Sequence, residues 1–214
     1  HRIVFAGAGS AGCGIANQIV DHMVEEGMDR KDAVNAIFLT NSTGLVHTKS
    51  GRVKDYQAEF AKTPEFLANW ENPTDFSLEN VVKEVRPTIL VGVSGQPGIF
   101  TEEMVKYMLS YTEHPIILPL SNPTAKCEAL PKDLIEWTDA KAIIATGSPF
   151  APVEYKGDLH TVAQCNNAYI FPGLGLGVVA VKARRITNGM FMAASNALAD
   201  ISPCHQLKGG DLLP

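Results

Sequence analysis

The chain has 214 residues, of which 45% are apolar and 19% charged, with a formal net charge of -5. This composition suits an ordinary folded domain with one sizeable core. The acidic balance argues against a nucleic-acid partner, which calls for a basic face, and no apolar run is long enough to cross a bilayer, so no membrane partner is expected.

No signal-peptide pattern precedes the first strand-like run. The four cysteines, Cys13, Cys127, Cys165 and Cys204, show no C-x-x-C spacing. Reduced thiols and a cytoplasmic location are the expectation. The six histidines are scattered and none forms H-E-x-x-H, which argues against a histidine metal site. A start only one residue before a strand predicts a domain cut from a longer protein.

In chain order, residues 2–6 form an apolar run ending at Gly7, as a buried parallel strand does. Residues 10–27 carry Ile15, Ile19 and Met23 on one stripe and predict a helix stopped by Gly27. A second strand is expected over 36–39. Residues 55–70 read as partly helical, broken by Pro64 and Pro73. A short helix follows over 78–85, then a strand over 88–93. Thr101 caps a helix whose first turn holds Glu102 and Glu103. Strands over 115–120 and 142–145 flank a helix opened by Pro131. Residues 153–162 predict a hairpin around Lys156-Gly157. Two helices close the chain, one over 174–183 and one begun by Thr187 or Asn188 and stopped by Pro203.

This alternation predicts an α/β domain of the Rossmann type, a doubly wound, mostly parallel sheet with helices on both faces. Its extent is expected to be 1–203, followed by a disordered polar tail over 204–214.

Gly7-Ala8-Gly9-Ser10-Ala11-Gly12 matches G-x-G-x-x-G between a strand and a helix, the setting that a dinucleotide fingerprint requires. Gly7 makes the tight turn, Gly9 admits a pyrophosphate and Gly12 lets helix and sheet approach. Ser10 either donates to the phosphates or caps the helix. At the end of the second strand, where NAD enzymes carry a ribose-binding carboxylate, stands Asn41. An amide bonds a ribose hydroxyl and does not repel a 2′-phosphate. His47, Lys49, Arg52 and Lys54 follow, either as phosphate partners or as a solvated loop. These residues leave the choice between NAD and NADP open.

Four further strings sit at or just beyond strand ends, where open α/β sheets bind ligands. They are Val91-Gly92-Val93-Ser94-Gly95-Gln96-Pro97-Gly98, Leu120-Ser121-Asn122-Pro123-Thr124, Ala145-Thr146-Gly147-Ser148-Pro149-Phe150 and Gln164-Cys165-Asn166-Asn167-Ala168-Tyr169. Together with the glycine turn, they resemble the malic enzyme family over residues 2–203, and most of all its bacterial NAD-linked branch. Asn41 departs from the family's usual Asp.

The resemblance implies the NAD(P)-binding domain of an enzyme that oxidises and decarboxylates malate to pyruvate and CO2. It implies malate contacts from Asn122, Asn166 and Asn167. It implies cofactor contacts from Gly7, Gly9, Ser10, Ala11, Gly12, Asn41, Gly92, Val93, Ser94, Gly95 and Asn122. The catalytic lysine and tyrosine, and the ligands of a divalent Mg or Mn, are expected upstream of this chain, which alone is expected to be inactive. A homo-oligomer is expected for the full-length enzyme. The alternatives are a malolactic enzyme domain, or a nucleotide-sensing module without chemistry.

Overall fold

A computed structural model of the chain describes residues 1–51, 53–206 and 212–214. Arg52 and residues 207–211 of the expected tail lie outside the described residues.

The fold is built on β1 (Ile3–Ala6), four apolar residues with no more than 2% exposure. It pairs in parallel with β2 (Ile37–Asn41) on one side and β4 (Ile89–Gly92) on the other, with Ile3 opposite both Ile37 and Ile89. Outside β2 lies β3 (Gly44–Leu45), a two-residue antiparallel addition. Beyond β4 come β5 (Ile116–Pro119), β6 (Ile143–Thr146) and the short β9 (Ala163–Gln164), all parallel. The order is β3-β2-β1-β4-β5-β6-β9. The chain works outward from β1 in one direction and then returns to fill the other. A crevice therefore opens at the carboxyl ends of β1 and β4, the switch point where such sheets bind ligands.

Alternation along β1 sorts the core into two layers. Ile3 and Phe5 join Cys13, Ala16 and Val20 of α1 (Ser10–Glu25) and Ala33 and Val34 of α2 (Arg30–Asn35). Val4 and Ala6 face the opposite layer. There they meet Leu67 of α3 (Pro64–Leu67), Val81 and Val85 of α4 (Leu78–Val85), Met104 and Met108 of α5 (Glu102–Leu109), and Leu134 of α6 (Pro131–Thr138). Helices thus cover both faces of the sheet.

Local chemistry sets the helix ends. Ser77 accepts the amide of Asn80 to open α4, and Thr101 accepts that of Met104 to open α5. Pro131 sits in the first turn of α6. Pro64, expected to break a helix, instead opens α3 behind the cap Thr63. Its missing amide is one that a first turn leaves unpaired anyway. The hairpin expected over 153–162 is β7 (Val153–Tyr155) and β8 (Asp158–His160), turning at Lys156 and Gly157, both with positive φ.

The C-terminal part is α7 (Phe171–Ala180), α8 (Asn188–Asp200) and the single turn α9 (Pro203–Gln206). An apolar cavity of about 450 Å³ lies between α7 and α8, beside Leu174 and Met190. Phe171, Leu176 and Val179 of α7 are each more than 70% exposed. No described helix is long and apolar enough to cross a membrane. All four cysteines are free.

Candidate functional site

The glycine turn connects β1 to α1. Gly7 has φ of +125°, and a Cβ there would stand 2.5 Å from the Val93 carbonyl oxygen. At Gly12 a Cβ would stand 2.0 Å from the Gly7 carbonyl oxygen. These two positions lock helix, turn and β4 together and admit no side chain. Gly9 differs: it caps α1 with an ordinary extended backbone, and nothing lies within 4 Å of a Cβ built on it. Its open side faces solvent, and Ser10 and Ala11 beside it are exposed.

No side chain caps α1 and no acid occupies its first turn. Its leading amides are therefore free of any competing carboxylate, as an anion site at a helix start needs. Ser10 is the first helical residue and not the cap, which removes one of its two expected roles. The turn is braced from below by Gln57, buried in the 3₁₀ turn Asp55–Phe60, whose Nε2 donates to the Ala8 carbonyl at 2.6 Å.

Two adjoining clefts, of about 600 and 550 Å³, run from this turn. Both are lined by Ala8, Asn41 and Ser42. The larger reaches Val93 and Ser94, and the smaller reaches His47, Lys54 and Tyr56. Asn41 is the exposed last residue of β2. Its Oδ1 accepts from both the amide and the hydroxyl of Thr43, at 2.8 and 2.7 Å. The amide NH2 remains as its donor toward the cleft. Among the nearby cations, Lys54 lies over the Tyr56 ring and Lys49 is exposed. His47 stacks on Phe76, and burial, followed by the charge of Lys49, holds its imidazole below the usual value.

The tips of β4 and β5 are tied through a residue that the sequence left unremarked. Glu128 has no exposed surface, yet its carboxylate accepts from the amide and hydroxyl of Ser94 at 2.8 Å each. It also accepts from the hydroxyl of Ser121 at 2.5 Å and the amide of Ser121 at 3.3 Å. Gly92 lies against it: a Cβ there would stand 2.5 Å from the carboxyl carbon. Val93 and Ser94 follow at the cleft wall, with Gly95 next in the same loop. Asn122 is exposed, precedes a cis peptide bond to Pro123, and accepts at Oδ1 from the Ser148 hydroxyl.

Ser148 belongs to the tip of β6, where Gly147 packs on the Leu120 carbonyl. The neighbouring β9 tip continues through Cys165, whose amide donates to Thr146. Asn166 and Asn167 come next, both exposed. Asn166 accepts the Ala168 amide at 2.9 Å and so caps the 3₁₀ turn Asn167–Tyr169. The sequence-predicted residues thus share one edge of the sheet, from Asn41 at β2 to Asn167 beyond β9.

Open backbone at Gly9, an uncapped helix start and a cleft spanning the switch point suit an extended diphosphate ligand. A divalent cation finds no such fit. Among the described residues, no three of His, Cys, Asp and Glu come together as a ligand set.

The family described as "Malic enzyme, NAD binding domain" matches residues 1–214. Proteins named NAD-dependent malic enzyme from Acinetobacter baylyi and from Proteus mirabilis are each 52% identical over the whole chain. The one from Sodalis glossinidius is 50% identical over the same span. The chain covers 38% of the length of each of these relatives. A match over the full chain, on a sheet whose switch point carries the glycine turn, shows that this chain belongs to the family of malic enzyme NAD-binding domains.

Proposed function

We propose that this chain provides the dinucleotide cleft and part of the malate pocket of an NAD-linked malic enzyme, which converts malate to pyruvate and CO2. The observation carrying this reading is the single sheet edge on which the glycine turn, Asn41, Ser94-Gly95, Asn122 and Asn166-Asn167 stand in adjacent strand tips. Residues 1–203 make up the domain, with 204–214 as its tail.

The start of α1 binds the diphosphate, with Gly7, Gly9, Ser10, Ala11 and Gly12 forming the cradle. Asn41 contacts the adenosine ribose, and Gly92, Val93, Ser94 and Gly95 line the nicotinamide. Bound NAD supplies the hydride acceptor. Asn122, its oxygen engaged by Ser148, keeps an NH2 group to donate to a malate oxygen beside the ring. A neutral amide orients malate without adding charge that would disturb hydride transfer. Asn166 and Asn167 border the same pocket and do the same.

Three further functions are required: a base for the hydroxyl proton, an acid for the enol, and a Lewis-acidic Mg or Mn for decarboxylation. These belong with the remainder of the full-length enzyme. The exposed apolar side chains of α7 support burial against that remainder or against a second subunit of a homo-oligomer. The cytoplasm is the location that goes with this reading.

The test is to give the full-length protein malate, NAD and Mg or Mn. Released NADH and pyruvate in equal amounts support the reading. Lactate formed without free NADH would point to the malolactic reaction, and no turnover of malate under any of these conditions would sink both. The 214-residue chain alone is expected to bind nucleotide weakly and to leave malate unchanged.

Asn41→Asp reports on the ribose end. The carboxylate still accepts from Thr43 but now repels a 2′-phosphate, so NADP affinity should fall about tenfold relative to NAD. Parallel titrations with both nucleotides check this, and equal changes in both would remove Asn41 from the site.

A further inference from the structure

Among the described residues Glu128 is the only carboxylate without exposed surface, and no Lys, Arg or His nitrogen lies within 4.0 Å of it. A buried charge without a cation is costly unless hydrogen bonds satisfy it. Here four donors do so, and all four come from two residues on two different strand tips. Oε1 takes the Ser94 amide, the Ser94 hydroxyl and the Ser121 hydroxyl, while Oε2 takes the Ser121 amide.

Each serine, its hydroxyl donating to the carboxylate, keeps an oxygen that accepts a backbone amide, Ser121 from the opposing loop and Ser94 from its own. Ser121 Oγ receives the amide of Gly95 at 2.8 Å, and Ser94 Oγ receives that of Gln96 at 3.1 Å. The backbone adds two more ties, from Phe100 to the Glu128 carbonyl and from Gly98 to that of Cys127. Gly92 is required beneath it, because any Cβ there would strike the carboxyl group.

We propose that Glu128 is a positioning residue for the nicotinamide half of the dinucleotide. Its carboxylate joins the β4 tip to the β5 tip and so sets how the Ser94-Gly95 loop stands relative to Ser121-Asn122, the two loops that the dinucleotide reading assigns to the ring. The inference rests on the dinucleotide reading of the cleft and goes beyond it to the residue that shapes one end. An ordinary packing residue could hold the two strands together. Only a carboxylate can accept from four donors at once, and this fixes the orientation of both loops as well as their separation. A glutamine cannot replace it: its NH2 would confront either the Ser121 amide or the three donors at Oε1. Glu128 touches neither the substrate nor the reacting atoms; it acts through Ser94 and Ser121.

The experiment compares NADH with ADP-ribose, which shares the adenosine and diphosphate but lacks the nicotinamide, as ligands of the full-length protein carrying this chain. Glu128→Gln should weaken NADH by about tenfold and leave ADP-ribose within about twofold of wild type. Ser121→Ala, which removes one donor to the carboxylate and the acceptor of Gly95, should show the same selective loss at about threefold. It carries the test if Glu128→Gln does not fold. Equal loss for both ligands, or no loss for either, in whichever variant folds would overturn the proposal, because a general stabilising role does not distinguish the two halves of the ligand. Neither readout depends on malate. A protein that turns over no malate yet shows the selective loss would sink the substrate assignment and leave this one standing.

Discussion

Gly12→Ala is expected to destabilise the protein by about 3 kcal/mol or more, and Gly9→Ala to leave its stability within about 0.5 kcal/mol while removing most of its dinucleotide affinity. The two glycines are three residues apart in one motif, but the space around them is opposite. A methyl group at Gly12 meets the Gly7 carbonyl at 2.0 Å, and no flexible side-chain end is there to yield. Either α1 must lift from β1 or the turn must open, and both expose the layer formed by Cys13, Ala16 and Phe5. At Gly9 the added methyl meets nothing, and its extended backbone suits alanine. It stands instead where a diphosphate would come against the amides of α1. Urea midpoints of the two variants and titration with NADH separate the cases. Wild-type affinity in Gly9→Ala would move the phosphates away from this turn, and a normal midpoint for Gly12→Ala would contradict the packing of turn against helix.

The second large effect is a pH dependence centred on Lys62. Its side chain lies under the sheet edge, where Nζ donates to the carbonyls of Val34 and Asn35 at 2.9 and 3.3 Å. Nζ also lies over the rings of Phe38 and Phe66. No carboxylate of the described residues pairs with it, and burial pushes the ammonium down to about 7. In the unfolded chain the same group titrates near its ordinary 10.5. Between those values the unfolded state holds a proton that the folded state has released, so stability rises with pH across the window. The favourable contribution is complete above the ordinary value and is lost as pH falls toward about 7.

The full span corresponds to about 5 kcal/mol. Lys62→Met removes the slope. Near pH 6 the variant should be more stable than wild type, because it buries no charge. Near pH 10.5 it should be less stable, because the two carbonyls have lost their donor, at about 1–3 kcal/mol. The other titrating groups are common to both proteins, so the difference between their stability curves isolates Lys62. Urea unfolding at a series of pH values measures it, and curves that stay parallel would show that the ammonium is solvated in the fold.

Much of the fold was legible because its determinants are local. The apolar run into Gly7, the stripe of α1 and the caps at Ser77 and Thr101 each act within a few residues, and the helices expected there formed. The glycine turn was legible for the same reason: Gly7 and Gly12 pack on one another across a single turn. The elements that escaped were short. The six residues of α2 and the two-residue β3 and β9 carry too little pattern to stand out. β9 exists only because Ala163 finds Ala145 across the sheet edge.

By itself, the chain's sequence determined the strand–helix alternation, the position of the glycine turn and the family. Those properties follow from periodicity and from backbone freedom at named positions. The tertiary structure alone decided what Glu128 and Lys62 do. A charged residue beside a Pro-containing turn reads as a solvated group, because its neighbours in sequence cannot say whether water or protein surrounds it. Ser94, far away in the chain, turns Glu128 into a clamp, and Val34, Phe38 and Phe66 turn Lys62 into a buried amine. In both cases the physical reason is desolvation, which depends on what packs against the group from distant parts of the chain.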